Sequence, residues 1–556
     1  MARRRRDSRG RLGAFAVAGA AALFAFPAVA NADVQSSVTN GVLDVQATGG
    51  DAVTITSAGG NVQVNGANPG TGQAASTSIT AIRVTGDGAA DNINLAAVAA
   101  PAFNPLQSVL VEGRGGNDLI NGTQFADTLK GGDGHDRIIG DDNQAGSRDD
   151  MQGEAGDDTL VWNPGDDDDI NEGGTGTDTA EVNGGGKEQF EVKPGTVPSR
   201  VAFDRVQPDS TFGAPFSVDI SDDTERLDLN AGGDIDIINA AEGLAALAFA
   251  LDIDGGDGND VIDGGDGADK IAGGLGDDQI AADDNPATTR DVVNGDGGND
   301  TMTWNPGDDD DVNEGGEGSD TVVVNGATGD EDFKVKPSAT PGRVQFDRTN
   351  PAPFSIDIGT SESLVVNGGA GNDEIKGSKG LAGLIDSTFN GDDGKDHIKG
   401  TDGEDALAGG AGSDLIRSFD RAADSIECDS GFDLALVDRR DTVRACEIVL
   451  GGALKVKVGA KSANVSGGAA ALTLKCVATK RCNGLVSLRY KGKSLASTKF
   501  AMGKKKSKTV RLKLNKRGLR LMAKAPNKGL KVQLRVDAKD AARNGWRTDS
   551  SLRLTP

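Results

Sequence analysis

Aspartates recur through the middle of the chain at steps that repeat in order. Asp118, Asp127, Asp136, Asp149, Asp158, Asp169 and Asp178 form one series, and Asp260, Asp269, Asp278, Asp291, Asp300, Asp311 and Asp320 form another, offset by 142 residues throughout. Both series run in steps of 9, 9, 13, 9, 11 and 9, and a shorter third series gives Asp396, Asp405 and Asp414. Eight of the turns read Gly-Gly-x-Gly-x-Asp, ending at Asp136, Asp178, Asp260, Asp269, Asp278, Asp320, Asp373 and Asp414. Seven of these have Ile or Val two residues on, the exception being Ala180. Carboxylates and glycine carbonyls make an all-oxygen donor set, which suits a hard cation with many ligands. Calcium tolerates that irregular geometry better than magnesium, and zinc or copper would want the His or thiolate that these turns lack.

The elements that must position these carboxylates follow from the same spacing. The glycines permit a tight turn with close backbone approach. The three residues after each Asp form a short strand whose middle side chain points inward. Two nonapeptides make one coil, so an Asp lies beside the Asp eighteen residues on. Asp118 is thereby paired with Asp136, Asp260 with Asp278, and Asp396 with Asp414. Trp162-Asn-Pro-Gly165 and its aspartate run recur as Trp304-Asn-Pro-Gly307. Strand-like segments between the copies, Arg200–Arg205 with Arg343–Arg348 and Phe216–Ile220 with Phe354–Ile358, also match. The central chain is a tandem duplication of a large unit built of nonapeptides.

Residues 111–424 resemble the RTX proteins, whose hemolysin-type calcium-binding repeats form a parallel β-roll. The resemblance implies that Asp136, Asp178, Asp260, Asp269, Asp278, Asp320, Asp373 and Asp414 take the family's ligand position for several calcium ions. Asp118, Asp158, Asp300 and Asp396 sit in slightly degenerate copies, and Asp127 and Asp405 in weaker turns. The expected fold is all-β: a parallel β-roll or β-solenoid with a basic carboxy-terminal β-sandwich. Many RTX proteins are exported by a carboxy-terminal signal, whereas this chain carries an amino-terminal one, so toxin and protease activities are not carried over.

Charge divides the chain. Residues 451–556 hold 27 Lys or Arg and three acids, and residues 1–32 hold six Arg and one Asp. Of 58 basic and 85 acidic residues, 25 and 81 therefore remain in residues 33–450, a net charge of −56. Such a segment resists compaction unless cations neutralise it. The whole-chain charge of −27 excludes general nucleic-acid affinity. Arg3 to Arg11, the uncharged run Leu12 to Ala30 and the small-x-small site Ala30-Asn-Ala32 read as a secretory signal peptide. A secreted, extracellular protein is expected, with no membrane span in the mature chain and with its four Cys in disulfides. Cys428 and Cys446 are one coil apart, so a bridge there would lock the end of the solenoid; Cys476 and Cys482 are expected to bridge locally.

The divisions expected are a signal peptide (1–32), an N-terminal β region (33–110), three repeat units (111–250, 251–390 and 391–450) and the basic domain (451–556). In the basic domain, alternating runs such as Thr509–Leu514 give half-buried strands, and Asn515 to Lys524 a short helix. Its basic face, including Lys504 to Lys506, is either a solvated face or one that contacts the acidic roll, or a surface for an anionic cell-surface polymer. With only His135 and His397, both at repeat turns, His-based catalysis is disfavoured. Trp162 and Trp304 are expected to pack. The function expected is a calcium-binding structural or interaction protein rather than an enzyme, with folding coupled to extracellular calcium. The alternative is an exported adhesin or hydrolase carrying such repeats.

Overall fold

A computed structural model describes residues 34–556 except 105, 142–146, 167, 207–214, 242, 248, 283–289, 309, 439, 452–455, 459–461, 477–481, 504–505, 525–528, 540–544 and 556. The expected signal peptide and Lys504-Lys505 lie outside the described residues. The repeat region is a parallel β-roll. After each turn runs a strand of three to eight residues whose central aliphatic faces inward, as in Leu119–Asn121, Arg137–Ile139, Val261–Asp263 and Gln279–Ala281. Ile120, Ile138, Ile262 and Ile280 are buried there. Ile138 pairs in parallel register with Ile120 before it and Leu160 after it, and Ile262 pairs with Ile280. Each coil crosses two facing sheets, and the inward residues of both form two successive cores, Leu43 to Leu160 and Trp162 to Val437.

The roll begins well before the first nonapeptide. Val42–Gln46, Ala81–Thr85, Ser108–Gly115 and Asp127–Asp133 pair in parallel in that order, and so do Ala52–Ala58, Asn92–Asn94 and Leu119–Asn121 on the other face. The division after residue 110 falls inside one of these strands. The divisions after 250 and 390 likewise touch strands Ala250–Asp254 and Asp386–Asn390 of the same ladders. Sequence copies and structural units differ because a parallel coil is stabilised only by its neighbours.

Each duplicated unit interrupts the roll once with an antiparallel hairpin. In the first, Gln189–Pro194, Val201–Arg205 and Phe216–Ile220 run antiparallel. Parallel pairing resumes on both sides, with Asp169–Thr175 and with Ile237–Ala240. The second hairpin, Asp332–Pro337, Val344–Asn350 and Phe354–Gly359, is built the same way. It lies in the opposite sheet, because the duplicated unit contains an odd number of half-coils. Trp162 and Trp304 are buried, each stacked on the Phe of its own hairpin, Phe216 at 3.9 Å and Phe354 at 4.0 Å.

The roll ends at a disulfide between Cys428 and Cys446, with Cα atoms 5.0 Å apart, one coil along as the spacing requires. Ile448–Gly451 adds one more parallel strand to the roll, and beyond it the pairing is mainly antiparallel, with Ser462–Ser466 parallel to Gly545–Thr555. Cys482–Tyr490, Lys493–Met502, Leu530–Lys539 and Gly545–Thr555 form one set, and Ala469–Cys476 with Ser507–Lys513 another. Inward residues such as Leu472, Leu474, Val486, Leu488, Leu512 and Leu534 share a core separate from that of the roll. A helix runs from Lys516 to Ala523, capped by the Asn515 side chain, which accepts the Gly518 N–H. Cys476 is buried; the side chain of Cys482, and with it the local bridge, lies outside the described residues.

Candidate metal centre

The repeat aspartates form continuous ladders along the two edges of the roll. At each rung the backbone N–H of one Asp donates to Oδ1 of the equivalent Asp one coil later. Asp118 donates to Asp136 at 2.7 Å, Asp136 to Asp158 at 2.7 Å and Asp158 to Asp178 at 2.7 Å. On the opposite edge, Asp236 donates to Asp260, Asp260 to Asp278 and Asp278 to Asp300 at 2.8 to 2.9 Å, and Asp300 to Asp320 at 3.0 Å. Near the end of the roll, Asp373 donates to Asp396 and Asp396 to Asp414 at 2.8 and 2.9 Å, and Asp414 to Asp433 at 2.9 Å. The three expected pairs are therefore adjacent rungs. Asp269 belongs to the other edge from Asp260 and Asp278, accepting from Leu251 N–H and donating to Asp291. A nine-residue step is half a coil.

Each rung uses one carboxylate oxygen. The second, Oδ2, is buried without a hydrogen-bond partner at Asp118, Asp136, Asp158, Asp178, Asp260, Asp278, Asp300, Asp320, Asp373, Asp396 and Asp414. Burial without compensation disfavours the charged form. It pushes Asp136, Asp158, Asp178, Asp260, Asp278, Asp300, Asp373 and Asp414 up to about 6, and Asp118 and Asp396 to about 7, with neighbouring carboxylates adding to the effect. A row of buried, anionic, half-satisfied carboxylates is what a bound cation would complete. The donor set is all oxygen, so the residues fit calcium. When bound, the ion would supply positive charge between carboxylates that otherwise repel.

The three glycines of a turn have separate reasons. In the turn ending at Asp278, a Cβ on Gly273 would lie 2.5 Å from Asp278 Oδ2, so the first Gly makes room for the carboxylate. Gly274 and Gly276 have positive φ, and a Cβ there would meet the carbonyls of Gly256 and Gly258 in the previous coil at 2.0 and 1.2 Å. The degenerate copies keep the same turn: Arg114, Glu154, Asp296 and Asp392 replace the second Gly and hold φ between 60° and 78°. Gly276→Ala should therefore destabilise the calcium-loaded roll by more than about 1 kcal/mol, whereas Gly329→Ala, whose Cβ meets nothing within 4 Å, should have a small effect. Thermal unfolding in calcium compares the two.

Asp127 and Asp405 are differently satisfied. A threonine follows the first Gly of each turn, and its hydroxyl and N–H both donate to the Asp. Thr123 gives 2.9 and 2.5 Å to Asp127, and Thr401 gives 2.7 and 2.8 Å to Asp405. Asp260→Ala with Asp278→Ala should lower bound calcium well below the level left by Asp127→Ala with Asp405→Ala. Equal losses in equilibrium dialysis would contradict the ligand assignment.

Several rungs carry no repeat signature that the sequence reading used. Asp236 and Asp433 are fully buried with Oδ2 unpartnered, and burial pushes Asp236 to about 8. Their turns, Ala231-Gly-Gly-Asp-Ile-Asp236 and Cys428-Asp-Ser-Gly-Phe-Asp433, keep only part of the glycine pattern. Glu225, Glu362 and Glu447 accept the last rung N–H of their runs from Asp178, Asp320 and Asp433. His135 is exposed at a turn, where its ring accepts the Asp157 N–H, and His397 is exposed at the start of strand His397–Lys399.

The family model for the RTX calcium-binding nonapeptide repeat matches four times, at residues 112–144, 252–280, 365–380 and 385–416. Asp158, Asp178, Asp300 and Asp320 lie outside those matches but on the same ladders. No curated protein matches the chain. Among the described residues no helix is long and apolar enough to cross a membrane. Repeats, roll and ladders agree: the chain carries RTX calcium-binding nonapeptide repeats built into a parallel β-roll.

Proposed function

We propose that the protein is a secreted calcium-binding scaffold with a structural or interaction role and no catalytic activity of its own, in which calcium outside the cell completes the fold. The observation that carries this reading is the row of buried carboxylates with one oxygen unsatisfied at every strict turn except Asp269. Asp118, Asp136, Asp158, Asp178, Asp260, Asp278, Asp300, Asp320, Asp373, Asp396 and Asp414 would hold the ions, with Asp236 and Asp433 extending the runs. Calorimetric titration of the chain with calcium tests it. Several ions binding at up to about millimolar concentration are expected, the range of extracellular modules; heat no greater than dilution would overturn the reading.

The basic carboxy-terminal domain is read as the interaction surface. Lys475, Lys499, Lys508, Arg511 and Lys513 are exposed on its strands. Residues 451–556 should bind an anionic polymer through charge alone. Binding should fall steeply with salt, because exposed charges are screened beyond about 8 Å at physiological ionic strength. In the full chain, calcium should strengthen binding by neutralising the competing acidic roll. Pull-downs across a salt series, with and without calcium, check both; salt-insensitive binding would leave the domain as a structural cap.

A further inference from the structure

Besides the glutamates that end runs, two glutamates donate onward to a rung aspartate, and both are closed by an arginine. Glu188 donates its N–H to Asp236 Oδ1 at 2.7 Å, as a rung aspartate would, yet both its carboxylate oxygens are satisfied. Oε2 accepts the Gly185 N–H at 3.0 Å, and Oε1 accepts from Arg205 Nη1 at 2.5 Å. Glu331 repeats the arrangement. It donates to Asp373 at 2.7 Å, and accepts from Ala327 N–H at 2.7 Å and from Arg348 Nη1 at 2.9 Å. All four side chains are buried. The longer glutamate reaches the guanidinium that its own hairpin supplies. Each guanidinium also lies against aromatic rings: Arg205 is 5.3 Å from the Trp162 ring and 4.8 Å from Phe216, and Arg348 is 5.2 Å from Trp304 and 4.8 Å from Phe354.

The duplication preserved this module while its spacing drifted. The tryptophans are 142 residues apart, the glutamates and arginines 143, and the stacked phenylalanines 138. The module also has a local core. Phe190, Phe203 and Phe216 form one chain of ring contacts, and Phe333, Phe346 and Phe354 another, which gathers six of the 17 Phe at two places. Elsewhere the roll is lined mainly by small aliphatics.

We propose that Arg205 and Arg348 take the place of the metal cation at these two rungs, so that the hairpin modules fold without calcium and divide the roll into separate metal-binding blocks. A guanidinium is permanently charged and presents fixed donors to a carboxylate, which is what the neighbouring rungs obtain only from a bound ion. Each module is then a folded island from which calcium-driven coiling extends in both directions.

This rests on the calcium reading above, and the test separates the two. Trp162 and Trp304 sit inside the modules, so a full chain carrying Trp546→Phe reports on them alone. In excess chelator, acrylamide quenching of their fluorescence should be several-fold weaker than in denaturant, while amides of residues 255–280 exchange freely. Arg205→Gln with Arg348→Gln should abolish that protection in chelator. Tryptophans quenched as fully in chelator as in denaturant, in a chain that still takes up calcium, would overturn the proposal; so would full protection persisting in the double variant. A lysine pair at the same positions should retain part of the protection. A chain that neither binds calcium nor changes its exchange on adding it would overturn the calcium reading, and the proposal with it.

Discussion

In excess chelator the far-ultraviolet circular dichroism of the chain should lose most of its β signal, and calcium in the millimolar range should restore it. Residues 33–450 carry 81 acids against 25 basic residues, and more than a dozen of those acids are buried rung carboxylates. Burying an unpaired charge is costly, and a row of them one coil apart adds mutual repulsion. The hydrogen bond from the preceding rung offsets part of that cost at one oxygen, and nothing among the protein groups offsets it at the other. The parallel strands are short and bury single aliphatics, so each coil contributes little apolar burial to set against the charge. Calcium supplies the missing partner, and because the site does not exist in the extended chain, binding free energy is folding free energy. The signal remaining in chelator should come from the carboxy-terminal domain and the arginine-closed modules. A fully formed β spectrum without calcium would refute the coupling.

The ladder was legible in the sequence because its constraints fall on particular atoms. Gly273 must leave room for Asp278 Oδ2, and Gly276 must clear the carbonyl of Gly258, so glycine and aspartate recur at fixed positions. The bridge between Cys428 and Cys446 follows from the same coil length. The amino-terminal coils were not legible as roll, because Asp51 and Asp91 are 40 residues apart around a long excursion, though their rung bond is the usual 2.9 Å. Alternation marked Phe216–Ile220 as a strand but carries no sign of direction, so its antiparallel insertion was hidden. Glu188 and Arg205 are 17 residues apart, and only the roll's geometry brings the arginine onto a rung. The threonine caps of Asp127 and Asp405 had a readable signal, a Gly-Thr pair opening the turn, whose meaning depends on where the hydroxyl points.

Protons should compete with calcium for the same carboxylates, and the sign of the effect is fixed by the direction of their shifts. Rung aspartates such as Asp136, Asp118 and Asp236 are raised from 3.8 to about 6, 7 and 8, with burial the first cause. A group raised in the folded state binds its proton more tightly there than in the unfolded chain, so its contribution favours the fold below the unfolded value and is lost as pH rises through the folded one. Metal-free protein should therefore hold more β structure at about pH 5 than at about pH 8, the reverse of the usual behaviour of paired carboxylates, which lose stability on acidification. With saturating calcium the curve should invert: the roll should be intact at pH 8, and calcium affinity should fall as the rungs protonate below about pH 6. Calcium added near pH 6 should release protons, measurable as buffer-dependent heat in calorimetry. Circular dichroism of metal-stripped protein between pH 5 and 8 decides the matter. A metal-free β signal that rises with pH would mean that the rung carboxylates are stabilised as anions by the protein itself, and would remove the reason for assigning them to calcium.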